Sequence, residues 1–256
     1  MNNLASKGFQ LFERVIDLNL INEVNKGLEY SYFTCREIQK KNGIDEFTDG
    51  TIHHLLAHSD IVYLDLIENI CKSEYFQFIE NFFQGKFILN SYGGLKNLPS
   101  NPSYVTKVHR DIRFFSGNFP LMLNLLIMLD DFTLENGATY LLPGSHLTPN
   151  KPNDKEFYSQ AERATGKKGD ILFFNSNLWH AAGINTTQHE RRAITITFTK
   201  PFMKQQLDYP RVIGYDKINE MSNNLKQILG FFSRIPSNLN EWYQKPENRF
   251  YRQGQD

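Results

Sequence analysis

LMLNLLIMLDDFTLENGATYLLPGSH, residues 121–146, decides how this chain folds. The run Leu121–Leu129 is apolar apart from Asn124 and is closed by Asp130 and Asp131. A second run, Ala138–Leu142, starts after Asn136-Gly137 and ends at Pro143-Gly144. Short β-prone runs separated by Gly, Pro and Asn are the pattern of an antiparallel barrel or sandwich. Working outward, the same texture begins after Gly85 and predicts further strands at Phe87–Tyr92, Tyr104–Ile112, Asp170–Asn175 and Arg192–Thr199. Upstream, apolar residues at roughly helical spacing predict a helix within Phe9–Leu28, with others over Ile61–Cys71 and Glu74–Phe83. Beyond Pro210, DKINEMSNNLKQILGFF is again helical in pattern. The polar stretch between His146 and Gly166 is too long for a hairpin loop and suits either a substrate lid or a surface insertion. The expected fold class is mainly β with flanking helices, α+β. The expected organisation is one domain over residues 1–256, with helical support over 1–85, the β core over 86–200 and a helical cover over 201–256.

Of 256 residues, 40% are hydrophobic and 22% charged, an ordinary globular balance that excludes disorder. Twenty-eight basic residues offset 28 acidic ones, so the strong positive field needed for nucleic-acid or anionic-membrane binding is missing. A small-molecule partner is expected, with no nucleic acid and no membrane; oligomeric state is open. Cys35 and Cys71 form no CxxC pair, which excludes a cysteine-built zinc site and a disulfide framework. Residues 1–13 lack the apolar centre of a signal peptide, and no apolar stretch approaches the ~20 residues that span a bilayer. A reducing, cytoplasmic setting is the expectation.

The chemistry concentrates in SYVTKVHRDIR, residues 103–113. Period-2 alternation along a strand puts Lys107, His109, Asp111 and Arg113 on one face and Thr106, Val108, Arg110 and Ile112 on the other. Four ionisable groups turned inward require a metal or a charged ligand, because unpaired buried charge is heavily penalised. His109 and Asp111 can reach one ion and supply two ligands of a 2-His-1-carboxylate set, which leaves three positions of an octahedral iron(II) open. His180, between the strand-like GDILFFNSNLW and the small residues AAG, is the best third ligand. Eleven residues later, Arg191 opens RRAITITFT and shares a face with Ala193, Thr195 and Thr197. A guanidinium on that small, hydroxylated face can clamp a carboxylate by two parallel hydrogen bonds, with Thr195 as a supplementary donor. In isolation, one of Arg191 and Arg192 would simply be solvated and the other paired with Glu190.

These segments together resemble the phytanoyl-CoA dioxygenase family of iron(II)- and 2-oxoglutarate-dependent oxygenases. The resemblance is carried by HRD at 109–111, by residues 121–146 with their PGSH turn, and by KKGDILFFNSNLWHAAGINTTQHERRAITITF at 167–198. It implies a double-stranded β-helix, a cupin-like jelly roll, with flanking helices. It implies iron on His109, Asp111 and His180, 2-oxoglutarate and O2 as co-substrates, and Arg191 on the 2-oxoglutarate carboxylate. It also implies that Asn124 or Leu126 lines the co-substrate pocket and that His146 belongs to a structural turn. Many relatives carry Gln where this chain has Arg110. Family members that halogenate have Ala or Gly in place of the carboxylate, so Asp111 points to hydroxylation or a related oxidation.

Arg113 and Lys107, on the ligand face, and the lysines of the 146–166 region favour an anionic substrate. Three other readings stand beside the oxygenase: a zinc hydrolase built on the same two histidines and one aspartate, a cupin-like isomerase or binding module, and a non-catalytic scaffold. The hydrolase gives Arg191 no task, and the scaffold has no need of all four residues.

Overall fold

The computed structural model describes residues 3–46, 48–58, 61–99 and 104–255. Among the described residues nine strands form two sheets: β1 (Phe9–Phe12), β2 (Thr51–Ile52), β3 (Ile88–Asn97), β4 (Met122–Met128), β5 (Thr139–Leu141), β6 (Glu162–Ala164), β7 (Ile171–Asn175), β8 (His180–Ala181) and β9 (Arg191–Thr199). Six of them align in the order β1-β7-β4-β9-β3-β2, and three in the order β6-β5-β8. Pairing is antiparallel for β1 with β7, β4 with β7, β2 with β3, and β5 with both β6 and β8. Helices flank this α+β arrangement, as the sequence pattern predicts.

Residues 1–53, 93–119 and 123–196 form one compact unit, and residues 54–92, 120–122 and 197–256 another. In the first unit, side-chain alternation sorts the strands into faces. Leu126 and Met128 of β4, Leu172 and Phe174 of β7, and Ala193 of β9 bury one apolar cluster together with Leu141 of β5 and Ala164 of β6. Asn124, two residues before Leu126, and Arg191, two residues before Ala193, therefore point into the space between the sheets. In the second unit, helices Val62–Lys72 and Glu74–Phe83 take the positions their periodicity predicts. An aromatic stack of Phe83, Phe87 and Phe198 fills that unit's core, with ring centroids 5.6 and 5.1 Å apart.

Two expectations need correction. The predicted helix within Phe9–Leu28 begins instead at Leu18 and runs to Lys41, with the Asp17 carboxylate accepting the Asn19 and Leu20 N–H groups as its cap. Phe9–Phe12 is a strand, registered Phe9 to Phe174 through Phe12 to Ile171. Its aromatic residues fit a pleated edge as well as a helix face, and pairing with β7 decides between them. The predicted strand Tyr104–Ile112 is a 3-10 turn over Tyr104–Thr106 followed by irregular chain, held by a bridge between His109 and His180 and by single backbone bonds from Ala182 to the Val105 carbonyl and from Ile112 to the Ser176 carbonyl; Ser103 lies outside the described residues. The polar region 146–166, read as a lid or a surface insertion, holds the helix Asp154–Gln160 and β6. A reciprocal capping box starts that helix: Asn153 accepts from the Glu156 N–H, and the Glu156 carboxylate accepts from the Asn153 N–H.

Candidate metal centre

The centre begins with the bridge. His109 N–H donates to the His180 carbonyl at 3.0 Å and His180 N–H to the His109 carbonyl at 2.9 Å. Residues that exchange both bonds stand directly opposite with their side chains on the same side. The two imidazoles accordingly lie with ring centroids 4.3 Å apart. Asp111, two residues along extended chain, returns to that side: its carboxylate oxygens lie 3.4 Å from His109 Nε2 and 3.7 Å from His180 Nε2. One ligand atom from each of the three residues lies within 4.8 Å of the others. The alternation read from the sequence thus survives without a regular strand. Val108, Arg110 and Ile112 are buried, while Lys107 and Arg113 are exposed.

Hydrogen bonds behind the three residues fix how they present themselves. His109 Nδ1 is 2.7 Å from the Lys107 carbonyl, and His180 Nδ1 is 2.9 Å from the Leu178 carbonyl. A carbonyl can only accept, so each Nδ1 carries the proton and each neutral ring offers the Nε2 lone pair. Asn124 Nδ2 donates to Asp111 Oδ2 at 2.5 Å, leaving Oδ1 toward His109. The Phe174 ring stands edge-on to His180 at 4.9 Å. Burial pushes the His180 imidazole below its ordinary pKa. Burial also opposes charge on Asp111, but the facing His180, His109 and Arg113 outweigh it and lower its pKa. For His109, burial lowers, while the hydrogen bond and charge of Asp111 and the Lys107 carbonyl raise by more. A charged carboxylate between two ring nitrogens with free lone pairs is a donor set for a divalent cation, and the residues fit iron(II).

Arg191 leaves β9 for the interior with 1% of its surface exposed. Its guanidinium carbon lies 4.0 Å from the Phe132 ring centre, and Nε and both Nη atoms have no hydrogen-bond partner. Burial draws its pKa from 12.5 down to about 9, offset only in part by Asp130. Such a group is costly unless an anion joins it. Arg192, by contrast, is committed: its backbone N–H, Nε and Nη2 all reach the Asp130 carboxylate at 2.8–3.0 Å. The simple reading that Glu190 partners one of the two arginines gives way to Asp130; Glu190 stands 4.0 Å from Arg192 and 3.3 Å from Lys96. Leu126 lies in the inter-sheet cluster, and Thr195 Oγ1 lies 3.4 Å from the Gly93 carbonyl.

The residues around the triad hold it by packing that the sequence does not disclose. The Arg110 guanidinium lies 4.2 Å over the Trp179 ring and donates to the Thr148 carbonyl at 3.0 Å, so it ties the chain after PGSH to the HxD segment. Ser145 Oγ accepts the Trp179 N–H at 3.0 Å and thereby sets the residue before His180. His146 takes no part in the metal cluster; its Nε2 donates to the Ala5 carbonyl at 3.2 Å. The small residues after His180 serve the backbone rather than a ligand. A side chain on Gly183 would strike Arg163 Nη2 at 2.6 Å and the Ala138 carbonyl at 2.9 Å.

Comparison with known proteins agrees with this geometry. The sequence profile described as phytanoyl-CoA dioxygenase, PhyH, matches residues 7–193. A Mycobacterium tuberculosis protein described as "Uncharacterized protein Rv1501" is 38% identical over 164 residues, 62% of this chain and 60% of that protein. The dioxygenase sphC of Aspergillus fumigatus is 28% identical over 192 residues, 72% of this chain and 51% of that one. The chain thus spans between about half and 60% of these relatives' length. Two solved structures share the double-stranded β-helix fold. AviO1 from Streptomyces viridochromogenes superposes with a TM-score of 0.59 at 22% identity, over 79% of this chain and 94% of its own. SnoK, described as a non-heme alpha-ketoglutarate-dependent carbocyclase from nogalamycin biosynthesis, gives 0.55 at 20%, over 77% and 81%.

Proposed function

The chain belongs to the phytanoyl-CoA dioxygenase family, and from that premise we propose that it is an iron(II)- and 2-oxoglutarate-dependent dioxygenase that oxidises a C–H bond of a small molecule, forming succinate and CO2. The observation that carries the proposal is the orphaned guanidinium of Arg191, buried and unpaired in the inter-sheet space. A triad alone would serve a zinc hydrolase or a binding module equally well. A triad accompanied by a buried cation without an anion fits a dicarboxylate co-substrate.

In this reading His109 and His180 hold the metal through Nε2 and Asp111 through its carboxylate. Bound iron supplies oxygen activation coupled to the oxidative decarboxylation of 2-oxoglutarate. Arg191 grips the distal carboxylate of 2-oxoglutarate, gaining the charge-assisted bonds its buried N–H groups lack. Thr195, on the same face of β9, would add a hydroxyl in place of its bond to the Gly93 carbonyl, and Leu126 would form part of the apolar wall. Asn124 keeps Asp111 oriented, and Arg110 with Trp179 holds the His180 side of the site. Among the described residues no helix is long and apolar enough to cross a membrane. Cys35 and Cys71 are not joined in a disulfide, which suits a reducing compartment such as the cytoplasm. Curated relatives named as dioxygenases, among them FUM3 of Gibberella moniliformis at 28% identity, support the reaction type without fixing the substrate.

The test is slow, substrate-independent turnover. Protein supplied with iron(II), ascorbate and 2-oxoglutarate should release succinate with oxygen uptake, and zinc in place of iron should abolish it. Arg191→Ala should raise the KM for 2-oxoglutarate at least ~30-fold, the loss of a desolvated charge pair of about 2 kcal/mol or more. No succinate from iron-loaded, folded protein, or a KM indifferent to Arg191, would reject the proposal.

A further inference from the structure

A cavity of about 370 Å³ adjoins the triad, with His109 in its wall. Its volume lies in the range of small-molecule sites. Its lining includes three aromatic residues, Phe114, Phe115 and Trp179. Phe114 is 57% exposed, an apolar ring that no core packing accounts for. The lining is also cationic: Arg113 and Lys151 reach the cavity, and among the described residues no carboxylate lines it. Arg110 also borders it, its guanidinium lying 4.2 Å over Trp179 and 5.6 Å over Phe115 and bonded to the Thr148 carbonyl, so that one face of each of these rings is already covered.

Arg113 and Lys151 are different. Among the described residues neither makes a side-chain hydrogen bond or ion pair, and Lys151 Nζ lies 5.9 Å from the Trp179 ring centre. Arg113 acts on the Asp111 carboxylate through charge alone, without a hydrogen bond, and together with Lys151 it sets two cations beside aromatic rings, a site for an anion carried on a flat apolar body. The anionic end gains charge-assisted bonds, and the body gains burial against the rings. Lys107, which the sequence groups with Arg113, does not line the cavity; its backbone carbonyl instead holds His109.

We propose that this cavity receives the primary substrate, and that the substrate carries a carboxylate or phosphate, gripped by Arg113 and Lys151, on a planar apolar body lying along Phe114, Phe115 and Trp179. The proposal rests on the oxygenase reading for the role of substrate, since His109 is shared by the cavity and the metal centre. The cavity's preference for anions can be measured independently of that reading.

The chain has two tryptophans, so in a Trp242→Phe background Trp179 fluorescence reports the cavity alone. The probes are three nitroaromatic quenchers of one shape: 4-nitrobenzoate, 4-nitrophenyl phosphate and the neutral 4-nitrobenzyl alcohol. At least one anion should quench with a dissociation constant tenfold or more below that of the alcohol, and the tighter of the two identifies the anionic group. Arg113→Gln with Lys151→Gln should erase that preference while leaving the alcohol's constant in place. Equal binding of all three probes, or an anion preference that survives the double substitution, would overturn the proposal. An anion preference in a protein that releases no succinate from 2-oxoglutarate would keep the anion site and reject the oxygenase.

Discussion

Two buried side chains, Asn124 and Arg191, show at the scale of single residues how the site is held ready at the expense of stability. Arg191 has 1% exposure and no hydrogen-bond partner, so the free protein carries in its core a cation offset only in part by Asp130. Replacing a buried charge by an apolar group of similar volume is often neutral or stabilising, by about 1 kcal/mol or more. Arg191→Leu should therefore melt no lower than wild type in calorimetry without ligands, yet lose the thermal shift that 2-oxoglutarate gives. A clear fall in Tm without ligand would mean that Arg191 is a structural partner rather than a waiting one. Asn124 works the other way, by satisfying Asp111 Oδ2. Asn124→Ala should weaken metal binding roughly 10- to 100-fold, as loss of a ligand's supporting hydrogen bond does; an unchanged isothermal titration with cobalt(II) would contradict that role. HxD, WHAAG and the arginine that opens β9 are legible in sequence because ligand chemistry restricts residue type. The stacking of Arg110 on Trp179 is not, because it depends on chain segments that only the fold brings together.

At the scale of elements, legibility follows the source of the stabilising energy. The helices Val62–Lys72 and Glu74–Phe83 carry their own period, and the strands β4 and β7 are short apolar runs bounded by turn residues, so all four are readable. Phe9–Phe12 and residues 104–112 mislead, because one is a strand only through its pairing with β7 and the other is held by one bridge and isolated backbone bonds instead of a ladder. The PGSH turn shows an element whose motif is readable but whose work is not. Gly144, at φ 74°, donates its N–H to the Lys7 carbonyl, while His146 sits against Gly8 with a buried, unpartnered Nδ1. Burial lowers the His146 pKa from 6.5. As pH falls below 6.5 the unfolded chain takes a proton that the folded chain resists, so His146 contributes stability above that pH and loses it on the acid side. His53 and His180 are lowered by burial too and share the effect. Denaturant melts of His146→Gln should accordingly show a shallower loss of stability from pH 7 to pH 5 than wild type. An identical slope would mean that His146 is protonated alike in both states.

At the scale of the molecule, the fold gathers its ligands from segments far apart in sequence. His109 comes from irregular chain, His180 from β8, and Arg191 from β9, with Asn124 of β4 behind Asp111. Antiparallel pairing of short strands makes this possible, since remote segments meet wherever ladders and bridges close. Family membership and the shared double-stranded β-helix account for the frame; the residues within it account for the chemistry. The most direct measurement is an anaerobic titration of metal-free protein with iron(II) and then 2-oxoglutarate, followed by visible absorption, with Asp111→Ala and Arg191→Ala alongside. The account predicts a weak visible charge-transfer band in wild type when 2-oxoglutarate joins the iron, absent or much weakened in both variants. Folded, iron-loaded wild type that shows no band, or a band indifferent to both substitutions, would contradict it.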